Sequence, residues 1–402
     1  MSFPLAPRLQ NVKPSPTIAV SSKAFELKKL GRDIINLGVG EPDFETPENI
    51  CRAAIEAIHS GKTKYTSVDG IFDLKRAICE KLERDNRLKY DVSQILVTNG
   101  GKQAIFNALL ATLAPGDEVI IPSPYWVSYP DIVSLFEGCP VFVEGKLEDG
   151  FKILPEALEE AITPQTRWLI FNSPSNPTGA TYTENEIKAL SKVLLKYPHV
   201  LILSDDIYEH LIYDGLRFCN LPQVEPRLYD RTLIVNGVSK AYAMTGWRIG
   251  YSAGSLPLIK AMVMLQSQST TNACSISQSA AVEALSGSQD FLKEWRNIFQ
   301  QRRDAALEAL KKIPGFVSSV PPQGAFYLYI SCGDFIGLRT PDGKTISNDE
   351  DLCVYLLEEA GVAVVHGAAF GASPCIRLSY ATKPEIFTEA VNRMHKACER
   401  LV

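Results

Sequence analysis

The feature that most restricts the fold is a repeated order of short apolar, β-branched runs, each followed by a segment with helical periodicity. The clearest apolar runs are Ile95–Thr98, Glu118–Ile121, Arg167–Phe171, Val200–Ser204 and Thr232–Val235. The helical segments are Gln103–Leu113, Pro155–Ala161, Glu184–Tyr197 and, further on, Phe291–Lys312. This alternation is typical of a parallel sheet that helices cover on both faces. The sequence therefore predicts an α/β fold.

The pattern changes after Pro314-Gly315. Strands are predicted at Ala325–Ile330, Val362–Val365 and Ile376–Ser379, and helices at Asp349–Glu359 and Lys383–Leu401. They indicate a smaller α+β domain. Since a domain usually takes roughly 100–200 residues, the 402-residue chain is long enough for more than one. We expect an N-terminal segment (1–45) that joins the small domain, a large domain (46–300) and the small C-terminal domain (301–402).

Composition limits the classes of partner. The net charge is −5, and acidic and basic residues are mixed along the chain, so neither a nucleic acid nor a membrane is expected as a partner. No apolar run reaches the ~18 residues that span a bilayer, and the N-terminus lacks a signal-peptide pattern. The nine cysteines are scattered, without C-x-x-C. These features predict a reduced cytoplasmic enzyme without a metal, acting on small molecules.

Polar and aromatic side chains follow the predicted strands. The segments concerned are Asn99–Gln103, Pro122–Trp126, Asn172–Gly179, Asp205–Tyr208 and Asn236–Lys240. In an open α/β sheet, ligands bind at the carboxyl edge of the strands. We therefore expect these segments to form one site.

Gly100-Gly101 stands between a predicted strand and a predicted helix. Such a pair can expose backbone N–H groups and direct a helix N-terminus at an anion. The alternative is an ordinary tight turn. The chain has no Walker A lysine motif and no G-x-G-x-x-G, so the pattern favours a single phosphate over a nucleoside triphosphate or dinucleotide.

Lys240 follows an apolar strand, with Arg248 eight positions later. A lysine that is desolvated near another cation has a lowered pKa and becomes nucleophilic toward a carbonyl. The alternative is a surface lysine that begins a helix capped by Ser239. Asp205 and Tyr208 have the spacing D-x-x-Y. Asp205 could cap a turn, or it could keep a pyridine nitrogen protonated, an interaction of about 4 kcal/mol at ~4 Å and an effective dielectric near 20.

Residues 239–250, with the sequence SKAYAMTGWRIG, resemble the lysine signature of class I aminotransferases. These enzymes depend on pyridoxal 5′-phosphate (PLP) and have fold type I. The resemblance covers nearly the whole chain, and the subgroup it is most similar to is the bacterial aspartate aminotransferases, which include aspartate/prephenate aminotransferases. It implies PLP as cofactor, a mostly parallel seven-stranded sheet flanked by helices, a smaller α+β domain, and a homodimer with shared active sites.

The resemblance also implies cofactor-binding residues. Lys240 would carry PLP covalently, Asp205 would pair with the pyridine nitrogen, and Tyr208 and Asn176 would bond the phenolic oxygen. The residues implied at the phosphate are Gly101, Lys102, Ser239, Arg248 and, from the neighbouring subunit, Tyr65. Trp126, which could otherwise be a core aromatic, would stack on the ring. Most relatives have Asp-Glu before Ile-Tyr, whereas this chain has Asp205-Asp206, and the D-x-x-Y spacing selects Asp205.

Substrate-binding residues follow from the same resemblance. Arg377 looks like the arginine that binds the α-carboxylate, which its planar guanidinium can grip with two parallel hydrogen bonds. Gly40, Trp126 and Asn176 would also contact the substrate. Lys13 resembles an N-terminal lysine that this subgroup uses for a second carboxylate, and an ordinary exposed lysine is the alternative. No partner-subunit arginine for the distal carboxylate is identified.

The implied reaction moves an amino group between aspartate, or a related amino acid, and a 2-oxo acid such as 2-oxoglutarate, with prephenate as a further acceptor. One alternative keeps the cofactor and changes the chemistry, as in an aromatic or alanine aminotransferase or a β-lyase, synthase or decarboxylase of the same fold. Another is a non-catalytic regulator with an aminotransferase-like domain. Because the first such motif begins near Gly38, we expect no preceding DNA-binding domain.

Overall fold

A computed structural model describes residues 5–12, 14–318 and 320–402. Its strands are β1 (Ile35–Asn36), β2 (Ile95–Thr98), β3 (Glu118–Ser123), β4 (Cys139–Glu144), β5 (Thr166–Asn172), β6 (Leu201–Asp205), β7 (Thr232–Gly237), β8 (Gly250–Ala253), β9 (Tyr327–Ser331), β10 (Val362–Ala363), β11 (Val365–His366) and β12 (Cys375–Ser379). Its helices are α1 (Pro16–Lys29), α2 (Glu48–His59), α3 (Phe72–Asn86), α4 (Gly101–Thr112), α5 (Ser128–Leu135), α6 (Pro155–Ala161), α7 (Glu184–Lys196), α8 (Leu221–Val224), α9 (Leu256–Ser267), α10 (Ser275–Ser286), α11 (Asp290–Leu310), α12 (Asp349–Tyr355) and α13 (Pro384–Cys398).

The central element is a seven-stranded sheet with the order β2-β8-β7-β6-β5-β3-β4. Strand β8 is antiparallel to β2 and β7, and the other neighbours pair in parallel. The predicted mostly parallel α/β fold is thus confirmed. Strands β4 and β8 were not predicted. Strand β4 lies at the edge of the sheet, where its partly exposed residues and Pro140 weaken the apolar pattern.

Helices on both faces explain why the strands read as continuous apolar runs. In β5, Trp168 and Ile170 pack into a core with α4 and α9, whereas Leu169 and Phe171 pack into a separate core with α7. Alternate side chains of one strand are therefore buried on opposite sides of the sheet.

Helix α7 shows how the local sequence forms a covering element. Thr183 caps its N-terminus: its side chain accepts from the Glu186 amide, and the Glu186 carboxylate accepts from the Thr183 amide. This reciprocal pair satisfies amide donors that the first turn leaves free. Its buried residues, which include Ile187, Leu190 and Leu194, recur at the spacing of one helix face and turn toward the sheet.

The second group of strands is a three-stranded antiparallel sheet with the order β11-β12-β9. It shares a core with α11 and α13, formed by residues such as Phe299, Leu328 and Val391. Strand β1 of the N-terminal segment pairs in parallel with β10. Helix α1 contacts the same region through Ala24, which is buried with Ala363.

Two predicted elements differ from those observed. The predicted strand Val362–Val365 is two short strands that belong to different sheets, because β10 pairs with β1 and β11 with β12. The predicted helix Asp349–Glu359 is α-helical only to Tyr355 and continues as a π-helical turn over Leu356–Ala360. Gly361 ends it at φ +66°, where a Cβ would lie 2.7 Å from the Asp33 carbonyl oxygen.

Within the described ranges, no helix combines the length and apolar character that crossing a bilayer requires. The same residues contain no group of three or more His, Cys, Asp or Glu side chains arranged to hold a metal ion.

Candidate active site

A cavity of about 590 Å³ opens at the carboxyl edge of the parallel strands. It brings together most of the residues singled out in the sequence. Those that line it are Gly40, Gly101, Lys102, Trp126, Asn176, Asp205, Tyr208, Ser239, Lys240, Arg248 and Arg377. They come from segments more than 300 positions apart in the chain, such as Gly40 and Arg377. The expectation of one shared crevice at the strand ends therefore agrees with the structure.

Lys240 lies in a turn after β7 rather than at the start of a helix. Its ammonium donates to the Gly40 carbonyl oxygen at 2.6 Å. Burial lowers the pKa of Lys240 to about 8; the Glu41 carboxylate acts against this shift, and Arg248 acts with it. A substantial fraction of this amine is therefore neutral, and nucleophilic, near pH 8.

Asp205 is the last residue of β6, and its side chain reaches the cavity. The Tyr129 hydroxyl donates to its Oδ2 at 2.7 Å. Burial raises the pKa of Asp205 to about 6, against the effect of the Tyr129 hydrogen bond. A cationic group beside this carboxylate would offset its desolvation.

Asp206 has different surroundings. It accepts hydrogen bonds from the Ser204 hydroxyl at 2.7 Å and from Asn220 Nδ2 at 2.8 Å, and it does not line the cavity. Burial raises its pKa to about 8. Of the two adjacent carboxyls, Asp205 is the one that faces the cavity, as the D-x-x-Y spacing indicated.

An anion site lies at the junction of β2 and α4. Gly100 precedes α4 with φ +84°, and a Cβ there would lie 2.3 Å from Arg248 Nη2, so glycine lets this guanidinium approach the helix N-terminus. Arg248 donates to the carbonyl oxygens of Thr245 and Asn99 at 2.9 and 3.2 Å. The guanidinium and the free amides of the first turn combine into a cradle suited to a phosphate group.

Trp126 and Lys102 meet beside this anion site. The Lys102 ammonium lies 4.8 Å from the centre of the Trp126 ring. Burial lowers the pKa of Lys102, and Arg248 adds to this shift. Trp126 lines the cavity with a ring that can stack on a planar ligand.

Arg377 is 2% exposed on β12. Its Nη1 donates to Asn176 Oδ1 at 2.9 Å and its Nη2 to the Gly38 carbonyl oxygen at 2.7 Å, whereas its buried Nε has no hydrogen-bond partner. Among residues 5–12, 14–318 and 320–402, no carboxylate forms an ion pair with Arg377. A buried cation without a counter-charge is costly, and a ligand carboxylate would supply that charge.

The structure also brings in side chains to which the sequence alone assigned no role. Tyr129, the donor to Asp205, follows Trp126 by three positions, and the two rings contact each other edge to face at the start of α5. The Tyr327 hydroxyl lies 2.9 Å from that of Tyr208. Asn172 donates to the Asp205 carbonyl oxygen and accepts from the Asn176 amide, at 2.9 and 3.0 Å. Nothing in the sequence near Tyr327 pointed to the site, because it arrives from another sheet.

One predicted site residue is not among the residues that line the cavity, and another lies outside the described residues. Tyr65 is 91% exposed in this single chain and lies away from the cavity lining. Lys13 falls outside the described residues. Further along the chain, helix α1 lines the cavity with Thr17, Ser21 and Phe25.

Comparison with known proteins agrees with this geometry. Residues 32–394 match the family model described as aminotransferase class I and II. The chain belongs to this family. It is 58% identical over 401 residues, covering 100% of both chains, to an aspartate/prephenate aminotransferase of Cereibacter sphaeroides.

Solved structures of this aminotransferase family have the same fold. The aspartate aminotransferase from Rhizobium meliloti superposes with a TM-score of 0.96 at 52% identity, covering 100% of both chains. The Thermus thermophilus aspartate aminotransferase with maleate has a TM-score of 0.92 at 43% identity, covering 98% of this chain and 100% of that one. The predicted family and fold type are confirmed.

Aminotransferases of this family are PLP-dependent, and the cavity suits that cofactor. It combines an amine with a lowered pKa, an anion cradle, a buried carboxylate with capacity for a cationic partner, and an indole ring. In that order, these groups suit the aldehyde, the phosphate, the pyridinium nitrogen and the ring face of the cofactor.

Proposed function

We propose that this aminotransferase transfers the amino group of aspartate, or a closely related amino acid, to a 2-oxo acid such as 2-oxoglutarate, with prephenate as a further acceptor. One observation supports the reaction type: the same cavity contains Lys240 and Arg377, and the buried Nε of Arg377 has no hydrogen-bond partner. The substrate class is supported by the relatives of nearly equal length, among them the 58% identical aspartate/prephenate aminotransferase.

The cofactor would be held by residues that already line the cavity. Lys240 would bind it covalently, Asp205 would pair with the pyridine nitrogen, and Tyr208 and Asn176 would bond the phenolic oxygen. The backbone at Gly101 and Lys102, with Ser239 and Arg248, would hold the phosphate, and Trp126 would stack on the ring. When bound, PLP supplies an electron sink for the charge that develops at the substrate Cα.

The side chains of this chain perform the remaining steps. Arg377 binds the α-carboxylate with two parallel hydrogen bonds, near Gly40, and so fixes the orientation of the Cα–H bond. Lys240 would act as the general base that removes the proton from Cα. A positioned base contributes ~10²–10⁴-fold, and a pKa near 8 suits proton transfer at neutral pH.

We further propose a cytoplasmic homodimer in which Tyr65 contacts the phosphate site of the neighbouring subunit. A tyrosine that is 91% exposed in the single chain is consistent with burial against a partner. We retain the division into 1–45, 46–300 and 301–402, which the pairing of β1 with β10 supports. Lys13 is proposed to bind the distal carboxylate of a dicarboxylic substrate.

The test uses purified enzyme with aspartate, glutamate, alanine and aromatic donors against 2-oxoglutarate, oxaloacetate and prephenate. Addition of aspartate alone should convert the bound cofactor to its pyridoxamine form, and Lys240→Ala should abolish both the absorbance of the Lys240-bound cofactor and turnover. Release of ammonia without the pyridoxamine form would instead identify a β-lyase. Turnover by Lys240→Ala at the wild-type rate would exclude the proposed mechanism.

The substrate-binding residues are tested by two variants. Arg377→Ala should raise KM for every amino acid, because all carry the α-carboxylate. Lys13→Ala should reduce kcat/KM about tenfold for aspartate and prephenate but not for alanine, since a hydrogen bond to a charged group in a closed site is worth ~1.5–3 kcal/mol. Equal effects of Lys13→Ala on alanine and aspartate would contradict its role at the distal carboxylate.

A further inference from the structure

Four buried polar side chains form a cluster between α3 and the ends of β6 and β7. They are Lys81, Asn86, Glu209 and Asn236, with exposed fractions of 1%, 1%, 6% and 2%. We call them the Glu209 cluster. None of the four lines the cavity that contains Lys240, so the function proposed above does not use them directly.

Glu209 is the centre of this cluster. The Lys81 ammonium contacts its carboxylate and also donates to Asn86 Oδ1 at 2.7 Å. Asn86 Nδ2 donates to Glu209 Oε2 at 2.8 Å, and Asn236 Nδ2 donates to Oε1 at 2.7 Å. Burial acts to raise the pKa of Glu209, but Lys81 and the other partners outweigh it and lower the pKa to about 2. Glu209 is therefore an ionised carboxylate that accepts hydrogen bonds from both α3 and β7.

Those segments carry the residues of the active site. Glu209 directly follows Tyr208, and the turn before it is joined to β7 by the bond from the Asp206 amide to the Val235 carbonyl oxygen at 2.9 Å. Asn236 lies four positions before Lys240, and its Oδ1 accepts from the Gly237 amide at 2.7 Å. One carboxylate thus connects the end of β6 with the backbone that leads to Lys240.

Stability alone is a poor explanation for this arrangement. Taking a lysine and a glutamate out of water is costly, and replacing buried ion pairs by apolar residues is often neutral or stabilising. The cluster instead fixes how these segments lie relative to each other, because each hydrogen bond restricts both a distance and an angle between the segments it joins.

We propose that Glu209 and Asn236 are positioning residues that set the location of Lys240 relative to Asp205 and Tyr208. The proposal rests on the function proposed above, because the positions matter only if Lys240 reacts with a ligand that Asp205 and Tyr208 also hold. A displacement of about 1 Å in such a site can cost ~10²-fold in rate.

The two asparagines of the cluster provide a matched test. Both are buried amides, and each donates to a different oxygen of Glu209. Only Asn236 belongs to the segment that leads to Lys240. Asn236→Ala and Asn86→Ala are therefore compared in the PLP-loaded enzyme. Each is measured for melting temperature, for kcat and KM with aspartate, and for the visible circular dichroism of the bound cofactor, which depends on the cofactor's orientation.

Both variants should melt below the wild type. Asn236→Ala should lose about tenfold or more in kcat, with KM within about twofold, and should change the visible circular dichroism band. Asn86→Ala should retain the wild-type kcat and band. Equal losses in the two variants, or wild-type values in both, would overturn the proposal.

If Asn236→Ala does not fold, Asn236→Ser gives the same comparison. Its hydroxyl is one bond shorter than the asparagine amide and does not reproduce the donor to Glu209, so the same loss of kcat is expected, and an unchanged kcat would overturn the proposal. A wild-type enzyme without PLP absorbance would contradict the proposed function instead, and the two failures are therefore distinguishable.

Discussion

Burial lowers the pKa of Lys240 and raises the pKa of Asp205. The reason is the same in both cases, because burial disfavours the charged form of each group. In the protein without a cofactor, the amine is held partly neutral and the carboxyl is held partly protonated. Both groups are therefore prepared for a ligand that reacts with an amine and places a cation beside a carboxylate.

This leads to a prediction about the pH dependence of cofactor attachment. The pKa of Lys240 is about 8, below the ~10.4 of an unperturbed lysine, so its neutral fraction is nearly complete above pH 9. The rate at which PLP bonds to the apoenzyme should rise with pH through about 8 and then level off. Stopped-flow absorbance measures this rate, and Nα-acetyl-lysine, whose rate should keep rising toward pH 10, is the control. A continued rise in the enzyme would contradict the lowered pKa.

A second prediction concerns Tyr129, the hydrogen-bond donor to Asp205. Tyr129→Phe removes that donor, so the pKa of Asp205 should rise further and less carboxylate would face the pyridine nitrogen. We expect kcat to fall about tenfold with every amino-acid donor, because a hydrogen bond to a charged group is worth ~1.5–3 kcal/mol. Tyr182→Phe is the control, since its hydroxyl accepts from the buried Ile153 amide outside this cavity. Unchanged kcat in Tyr129→Phe would show that this hydrogen bond does not contribute to the function of Asp205.

At the scale of elements, the anion site depends on how closely the β2–α4 junction approaches the start of β8. A Cβ on Gly250 would lie 2.3 Å from the Gly101 amide nitrogen. Because Gly100 and Gly250 have no side chains, the two segments can approach each other closely. This close approach places the first turn of α4 beside Arg248.

Gly100→Ala should accordingly weaken PLP binding. The added methyl group would displace the Arg248 guanidinium, with which it would otherwise be only 2.3 Å apart, and we expect Kd for PLP to rise about tenfold or more. Gly116→Ala is a matched control, because Gly116 also has positive φ, +90°, but nothing lies within 4 Å of its added Cβ. Fluorescence titration of the apoenzymes measures Kd. An equal rise in Kd in both variants would indicate that backbone strain, and not the contact with Arg248, weakens PLP binding.

At the scale of the whole molecule, the cavity lies where two separate cores meet. Asp205 ends a strand of the seven-stranded sheet and Lys240 lies in the turn after β7 of that sheet, whereas Arg377 comes from the three-stranded sheet. Gly38, whose carbonyl oxygen accepts from Arg377, belongs to the N-terminal segment. A substrate with its α-carboxylate at Arg377 and its Cα facing Lys240 would therefore bridge distant parts of the chain.

The proposed dimer gives a prediction at this scale. If Tyr65 completes the site of the neighbouring subunit, a hybrid of Lys240→Ala and Tyr65→Phe subunits contains one site free of both changes. After equal mixing and random exchange, the activity should reach about a quarter of the wild-type value, above that of either parent. Sedimentation confirms exchange between differently tagged subunits. Hybrids with only the average activity of the parents would show that Tyr65 does not serve the partner's site.

The sequence by itself determined the elements and the chemistry of their ends. Strands buried on both faces leave continuous apolar runs, so the parallel strands were predicted to within a few residues. The lysine signature and the D-x-x-Y spacing are local patterns, and they led to Lys240, Asp205, Tyr208 and Arg248. The division of Val362–Val365 between two sheets was not predictable, because pairing partners lie far away in the chain.

Only the tertiary structure decided which side chains meet. Period-two alternation in β12 turns Ile376 and Leu378 into the core and Arg377 to the other side, but the sequence does not state what lies there. Tyr129 reaches Asp205, Tyr327 reaches Tyr208, and Asn236 reaches Glu209 across sequence separations that no local pattern spans. A hydrogen bond between distant residues depends on a few ångströms and on direction, and these are set by how the sheets and helices pack together.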